Sequence, residues 1–389
     1  MNGLKFASVA GCRYHNGFAN RSTILIAMYQ TRAPINTHAI RHNIRLVRDL
    51  APLCRIMAVV KADAYGHGAV GLLPVLGECV DGLAVARIAE AQKLRGAGYF
   101  GRLLLLMGVS NDAELEAAIH AQLDIVIHDV RHLALLANHH HRASHKTTLW
   151  LKLDSGMGRL GFTPSNYVAA FHAVQQLPWC EAVIGMTHLA SSEAVDNDKT
   201  ARQIACYQQN TQMLSLMDHS IANSGGILMW PAARVGWLRP GLMLYGVSPV
   251  DGSQQHMDLQ PAMKLQAKII GIKTVESCET VGYNETWRAT RDTVVVYVAA
   301  GYADGYPLLL RDKQAQAAVN GQRVPIIGRV SMDSLALDCT WLDLTAVQLG
   351  DWVELWGDTI GVKEVANWAG TIPYQLLTQL SLRVRREYI

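Results

Sequence analysis

The sequence holds no CxxC pair and no unbroken apolar run near the length of a membrane span. A spanning helix needs about 20 apolar residues, so none is expected. Cysteine pairs at metal or redox spacing are missing too. The seven cysteines, at 12, 54, 79, 180, 206, 278 and 339, are scattered and odd in number. They read as free thiols in a reducing cytoplasm. Nor is there a large excess of charge of one sign. Lys and Arg total 35 against 32 Asp and Glu, a net charge of +3. That balance argues against a polyanion binder and against a polybasic membrane anchor. No internal repeat and no low-complexity linker interrupts the chain. What remains is a globular mix: half of the 389 residues are apolar and 17% are charged. The length suits two domains, or one large barrel with a smaller unit.

The chain does carry a rhythm. Between Ala39 and Gly246 short apolar runs alternate with stretches of helical spacing. The runs are IMAVVK (56–61), GLAVA (82–86), LLLLM (103–107), DIVIH (124–128), LWLKLD (149–154), AVIGMTHL (182–189), SIANS (220–224) and VGWLRPG (235–241). Helical spacing marks Arg87–Ala97, Ala113–Ala121, Pro164–Leu177 and Thr200–Met217. Strand and helix alternating in this way predict a (β/α)8 barrel. An open doubly wound sheet is the alternative; its glycine-rich turn would follow the first strand, where this chain has KADAYGHG. Past about residue 260 the runs become period-two and β-branched, as in DTVVVYVAAG and DWVELWG. They read as antiparallel strands, and Asn320-Gly321 marks a hairpin. The expected fold is therefore α/β: a TIM-like (β/α)8 barrel over 28–260, followed by a mostly antiparallel β domain over 261–389. An early strand within 28–40 is expected to pack on the second domain. Residues 1–27 read as an extension of unassigned role, with Met28 as an alternative start.

Lys61 ends the first barrel strand, in MAVVKADAYGHGAV. A lysine at the end of a buried strand is costly to keep charged. Its pKa falls, and its amine becomes a nucleophile suited to an aldehyde cofactor. Active sites of such barrels lie at the C-terminal ends of the strands, and the unusual polar residues gather there. Lys152 and then Arg159 lie at the end of the fifth run, and His188 at the end of the sixth. Asn223-Ser224-Gly225-Gly226 closes the seventh and Arg239-Pro240-Gly241 the eighth. Loops after strands 7 and 8 commonly bind phosphate, and these supply a hydroxyl and closely approachable glycine backbone. The cluster His139, His140, His141 and His145 finds no supporting ligands elsewhere. It reads as a solvated loop, and no metal site is expected.

The segments KADAYGHG, LKLDSGMGRLGF, THLA, IANSGGIL, RPGLMLYGVSP, VGYNETW, AAGYADGYP and GRVSMD stand in the order found in alanine racemases. The chain resembles that family from about Met28 to its C-terminus. It departs from the usual pattern at Ser155, where Thr is common, and at Leu189-Ala190-Ser191-Ser192. The resemblance implies a cytoplasmic, homodimeric enzyme that uses pyridoxal 5'-phosphate (PLP) to interconvert L- and D-alanine for peptidoglycan. It implies that Lys61 bonds PLP. Tyr65, Ser224, the amides of Gly241 and Leu242, and Tyr374 would hold its phosphate, with Asn223 in the same cofactor-binding set. Arg239 would face the pyridine nitrogen, and His188 would lie beside the ring. Arg159 and the Met332 amide would bind the substrate carboxylate, and a carbamylated Lys152 would orient Arg159. Tyr302 and Asp333 would line the entry passage. Tyr283 would be a second base, supplied by the partner subunit. Two bases on opposite faces are the natural way to remove a proton from one side and return it on the other. Arg239 cannot give up a proton, which suits racemisation and disfavours transamination. The alternatives are a racemase of broader or different preference, a catabolic alanine racemase, a decarboxylase on this architecture, and a PLP carrier without turnover.

Overall fold

The computed structural model describes residues 29–138, 146–194, 196–250, 258–310 and 314–389. The expectations for residues 1–27 and for the cluster at His139–His145 lie outside the described residues. The chain enters through β1 (Thr31–Ile35) and turns at once into a helix, Thr37–Leu50. The expected strand over 28–40 is cut short because the Asn36 side chain accepts from the Ala39 amide at 3.0 Å and starts that helix.

Each predicted barrel run then yields one strand: β2 (Arg55–Val59), β3 (Gly82–Val85), β4 (Leu103–Leu105), β5 (Asp124–Ile127), β6 (Thr147–Lys152), β7 (Cys180–Met186), β8 (Asp218–Ser220) and β9 (Trp237–Leu238). They pair in the order β8-β7-β6-β5-β4-β3-β2-β9, and a bridge from Ser220 to Gly236 nearly closes the ring. Every residue of β3, β4, β5 and β6 is buried, as parallel strands covered on both faces require. The helices Ile88–Gly96, Asp112–His120 and Pro164–Gln175 fall where the spacing predicts. The next, Lys199–Thr211, stops short of Met217. β8 also ends early, at Ser220, because Asn223 caps a short helix, Ser224–Met229, by accepting from the Gly226 amide at 3.0 Å.

The N-terminal end of the barrel is sealed. Trp150 and Trp237 are buried with ring centroids 5.7 Å apart. Trp150 Nε1 donates to Asp124 at 2.8 Å, and Arg102 Nε lies 3.1 Å from the same carboxylate. Burial pushes the Asp124 pKa up to about 6, with Arg102 and Trp150 pulling the other way. Arg55 pairs with Asp218 and stacks over Trp237 at 4.6 Å. Rings and ion pairs thus close the floor, which leaves the opposite end as the open mouth.

The second sheet is built from β10 (Leu265–Val275), β13 (Thr293–Val298), β14 (Gln316–Val319), β15 (Gln322–Ile327), β16 (Leu335–Asp338), β17 (Trp352–Trp356) and β18 (Arg385–Tyr388), together with β1. A two-stranded ribbon, β11 (Thr280–Val281) with β12 (Trp287–Arg288), stands apart. β10 pairs with β17 through one half and with β13 through the other, so this sheet also curls on itself. Asn320 and Gly321, with φ of 49° and 76°, join β14 to β15 as the hairpin signal predicts. β1 lies between β10 and β18, antiparallel to the first and parallel to the second. Among the described residues, the first and last strands are therefore neighbours. Two helices, Val362–Ala369 and Pro373–Thr378, interrupt the strands, and the period-two reading gave no sign of them.

Asn43, fully buried on the first helix, ties down the segment that leaves the barrel. Its side-chain NH2 donates to the carbonyls of Leu244 and Gln260 at 3.0 and 2.9 Å, and its oxygen accepts from the Gln260 amide at 2.9 Å. Asn43→Ala should leave these backbone groups unpaired and cost about 2–4 kcal/mol. Urea unfolding of the variant beside the parent checks this, and an unchanged midpoint would refute it.

Candidate active site

Lys61 stands two residues past β2, at the start of a conformation that periodicity does not reveal. Ala62, Asp63, Ala64 and Tyr65 all have φ between 53° and 55°, and the first three have ψ of 49–50°. This is one turn of left-handed helix. It costs roughly 1–2 kcal/mol for each non-glycine residue, so the surroundings must hold it. Glu90 accepts from the Ala62 amide at 2.6 Å. Ala64 donates to the Val60 carbonyl at 2.8 Å and Gly66 to the Ala62 carbonyl at 3.0 Å, while the Asp63 carboxylate accepts from the Ala69 amide at 3.0 Å. Gly66 has φ of 79°, and a Cβ there would fall 1.9 Å from the Leu377 carbonyl oxygen. Only glycine fits.

The turn carries Tyr65 inward, between Tyr245 and Tyr374, with ring centroids 5.0 and 5.9 Å away. Burial raises the Tyr65 pKa, so its phenol stays a donor. A Cβ at Gly241 would lie 2.5 Å from that hydroxyl, so the bare glycine lets the two segments meet. Ser224 Oγ accepts from the Gly241 amide at 3.0 Å and from the Met243 amide at 3.4 Å. The Gly241 N–H is thus already spent on Ser224, whereas the Leu242 N–H has no partner among the described residues. The Asn223 side chain is engaged by Gly226, Ser192 and the Leu189 carbonyl, and it shapes the turn that presents Ser224.

Cations crowd the mouth. Lys61 is open to solvent on one side, yet its pKa is lowered, first by loss of water around the amine, then by Arg159 and Arg239, with Glu90 opposing. Lys152 is buried at the end of β6, and its pKa falls to about 8 through burial and then through Arg239 and Arg159. Burial and the same cations push His188 well below the ordinary histidine range. Arg239 is buried, and its own pKa drops to about 10 for want of water. It donates to Ser220 Oγ and, at 2.5 Å, to the Thr187 carbonyl, and lies 3.4 Å from His188 Nδ1. His188 must therefore present a lone pair at Nδ1. The Nε–H of Arg239 has no partner among the described residues. Such a site favours a flat ligand that carries anionic groups and a ring acceptor.

Gln203, buried on the helix behind the mouth, ties its rim together. It donates to the His188 carbonyl at 3.0 Å and to Ser155 Oγ at 3.4 Å, and accepts from the Ala190 amide at 2.9 Å. Sequence reading missed both Glu90 and Gln203, because each looks like an ordinary polar position on a helix. The Gly66-x-Gly68 spacing was the available sign of the unusual turn.

The remaining candidates form a second group. Tyr283 is 67% exposed, Tyr302 41% and Met332 52%, all on the second domain. The Tyr302 amide donates to Ser331 and the Ala303 amide to Met332, while Asp333 pairs with Arg383 at 2.8 Å. Among the described residues no hydrogen bond, ion pair or ring contact joins Tyr283, Tyr302, Met332 or Asp333 to Lys61 or Arg239.

Comparison with known proteins bears on both groups. The sequence profile "Alanine racemase, N-terminal domain" matches residues 35–249, and "Alanine racemase, C-terminal domain" matches 262–388. The chain is 41% identical to an alanine racemase of Shewanella amazonensis over 91% of its length and 97% of that protein. It is 42% identical to a protein of Pseudomonas putida named a catabolic alanine racemase, over 93% of this chain and 99% of that one. Among solved structures, the biosynthetic alanine racemase of Pseudomonas aeruginosa superposes with a TM-score of 0.87 at 38% identity, covering 93% of this chain and all of that one. An alanine racemase from Bartonella henselae with covalently bound pyridoxal phosphate superposes with a TM-score of 0.85 at 29% identity, covering 92% and 99%. The chain belongs to the alanine racemase family.

Proposed function

We propose that this protein interconverts L- and D-alanine with pyridoxal phosphate held on Lys61, as a cytoplasmic homodimer that supplies D-alanine for peptidoglycan. The observation that carries the reading is the placement of Lys61 at the barrel mouth, where the left-handed turn after β2 begins, near Arg159 and Arg239. A catabolic role is the second reading, since relatives named for both roles match at similar identity, 42% and 38%.

The residues present fit the cofactor. The unpartnered Nε–H of Arg239 suits a ring acceptor. The Ser224 hydroxyl, the Leu242 amide and the phenols of Tyr65 and Tyr374 suit a phosphate, and the missing Cβ at Gly241 lets it approach. When bound, pyridoxal phosphate acidifies the α-hydrogen of an amino acid joined to it. The chain's own residues do the rest. Lys61 Nζ, with its lowered pKa, holds and releases a proton on one face of the substrate. Tyr283 Oη serves the other face. Arg159 binds the carboxylate, and Lys152 orients it. A buried Lys152 with a pKa near 8 offers a neutral amine to carbon dioxide, and the carbamate so formed is an anion able to grip Arg159. Tyr283 stands exposed and apart from Lys61 within one chain, and this supports a site completed by a partner subunit.

Borohydride treatment of the cofactor-loaded enzyme, followed by peptide mapping, should mark Lys61. A label on Lys152 instead would overturn the assignment. Carbon-13 bicarbonate should give a carbamate resonance that Lys152→Met abolishes, and that weakens as pH falls below about 8, where the amine takes up a proton. Persistence of the signal in the variant would assign it elsewhere. Tyr283→Phe should bind cofactor normally and lower turnover on the order of 10²–10⁴-fold. Lys61→Ala and Tyr283→Phe chains, nearly inactive alone, should recover activity on mixing, because one mixed dimer contains one intact site. Verified subunit exchange with no recovery would show that both bases act within a single chain.

A further inference from the structure

The last strand of the chain touches the left-handed turn at points that the catalytic reading leaves unexplained. Arg386 Nε donates to the Gly66 carbonyl at 3.0 Å, while its other nitrogens grip the carbonyls of Leu380, Ser381 and Val384. The Tyr388 hydroxyl lies 3.2 Å from the carbonyl oxygens of both His67 and Gly68. Its ring occupies a slot that exists only because two positions lack side chains. A Cβ at Gly68 would meet the Tyr388 oxygen at 2.0 Å, and one at Gly71 would meet the ring at 2.0 Å. The alternate residues of β18 face elsewhere: Glu387 pairs with Arg32 of β1 at 3.3 Å and with Arg385 at 3.6 Å.

From the inside, His67 completes the grip. It is fully buried, and its Nδ1 lies 3.1 and 3.0 Å from the carbonyls of Ala64 and Tyr65. Those acceptors require the proton on Nδ1, and Tyr245 stacks on the ring at 4.5 Å. Burial drops the His67 pKa to about 4, so the ring stays neutral at physiological pH. Carbonyls of successive turn residues, from Ala64 to Gly68, are thus capped by side chains.

We propose that Arg386 and Tyr388, acting with His67, are positioning residues that hold the strained turn so that Lys61 and Tyr65 face the cofactor. The C-terminal strand is then a strap from the second sheet onto the cofactor lysine. A left-handed turn of non-glycine residues relaxes unless its geometry is imposed from outside. β18 is itself fixed by its parallel pairing with β1. This inference rests on the reading of Lys61 as the cofactor lysine, and its test separates the two.

The test compares the parent with Tyr388→Phe, Arg386→Met and Glu387→Gln, the last breaking contacts only on the opposite face of the strand. Hydrogen exchange of the peptide covering 61–69 is read without cofactor, and pyridoxal phosphate dissociation is read by the visible absorbance of the bound form. Losing one such bond should speed both exchange of the turn and release of cofactor by roughly tenfold. Glu387→Gln should leave both near the parent. Arg386→Lys, which keeps the charge and one donor, should recover part of the loss. Unchanged exchange in Tyr388→Phe and Arg386→Met would overturn the proposal, as would equal loosening in Glu387→Gln. Faster exchange in Tyr388→Phe and Arg386→Met, with a parent that never takes cofactor at Lys61, would instead sink the cofactor reading and leave the strap standing.

Discussion

Loss of water at the barrel mouth, reinforced by repulsion among its cations, is the constraint on which the site depends. Beyond the effect of burial, Arg159 and Arg239 lower the proton affinity of both Lys61 and Lys152, with Glu90 acting in the opposite sense on the first and Asp154 on the second. A flexible surface would let such side chains swing apart into water. Here burial forbids it for Lys152 and Arg239. Lys152 is the last residue of a fully buried strand, and Arg239 is clamped by Ser220, Thr187 and His188. The arrangement favours neutral amines where chemistry needs them and leaves an unsatisfied demand for anions. A phosphate and a carboxylate meet that demand.

The second constraint is backbone strain. The left-handed turn after Lys61 is unfavourable in isolation, and every element around it contributes to holding it. Glu90 grips it from the helix after β3, His67 from within, and Arg386 and Tyr388 from the far end of the chain. The carbonyl of Leu377, in the helix that carries Tyr374, packs against Gly66. Barrel and second sheet are therefore joined at the segment that follows Lys61. The order of the strands explains how. β1 and β18 pair with each other, so both ends of the described chain reach the second sheet, and β18 delivers two side chains back to the barrel.

Much of this was legible beforehand. The apolar runs placed all the barrel strands, because parallel strands covered on both faces must be apolar throughout. Strand ends pointed to Lys61, Lys152, Arg159, His188, Ser224 and Arg239, whereas Tyr65 and Tyr374, neighbours at 5.9 Å, came only from the family resemblance. Other features were hidden. Asn223 reads as part of a phosphate loop, yet its side chain is a cap. Gly241 reads as a free amide, yet it donates to Ser224. Glu90, Gln203, Arg386 and Tyr388 look like solvated polar residues, since nothing in local spacing says which backbone group a long side chain will meet. The short helices at Val362 and Pro373 lie among strand-like runs and were lost in them.

The sequence by itself determined the alternation of strand and helix, the change to antiparallel structure past residue 260, and the identity of the side chains brought to the strand ends. Those features depend on local periodicity, which the chain carries wherever it is read. The tertiary structure alone decided the left-handed turn, the pairing of first strand with last, and the separation of Tyr283 from Lys61 within one chain. The reason is physical. Residues such as Ala62, Asp63 and Ala64 have no intrinsic preference for positive φ, so only partners brought in by the fold, Glu90 as well as Arg386 and Tyr388, could impose it.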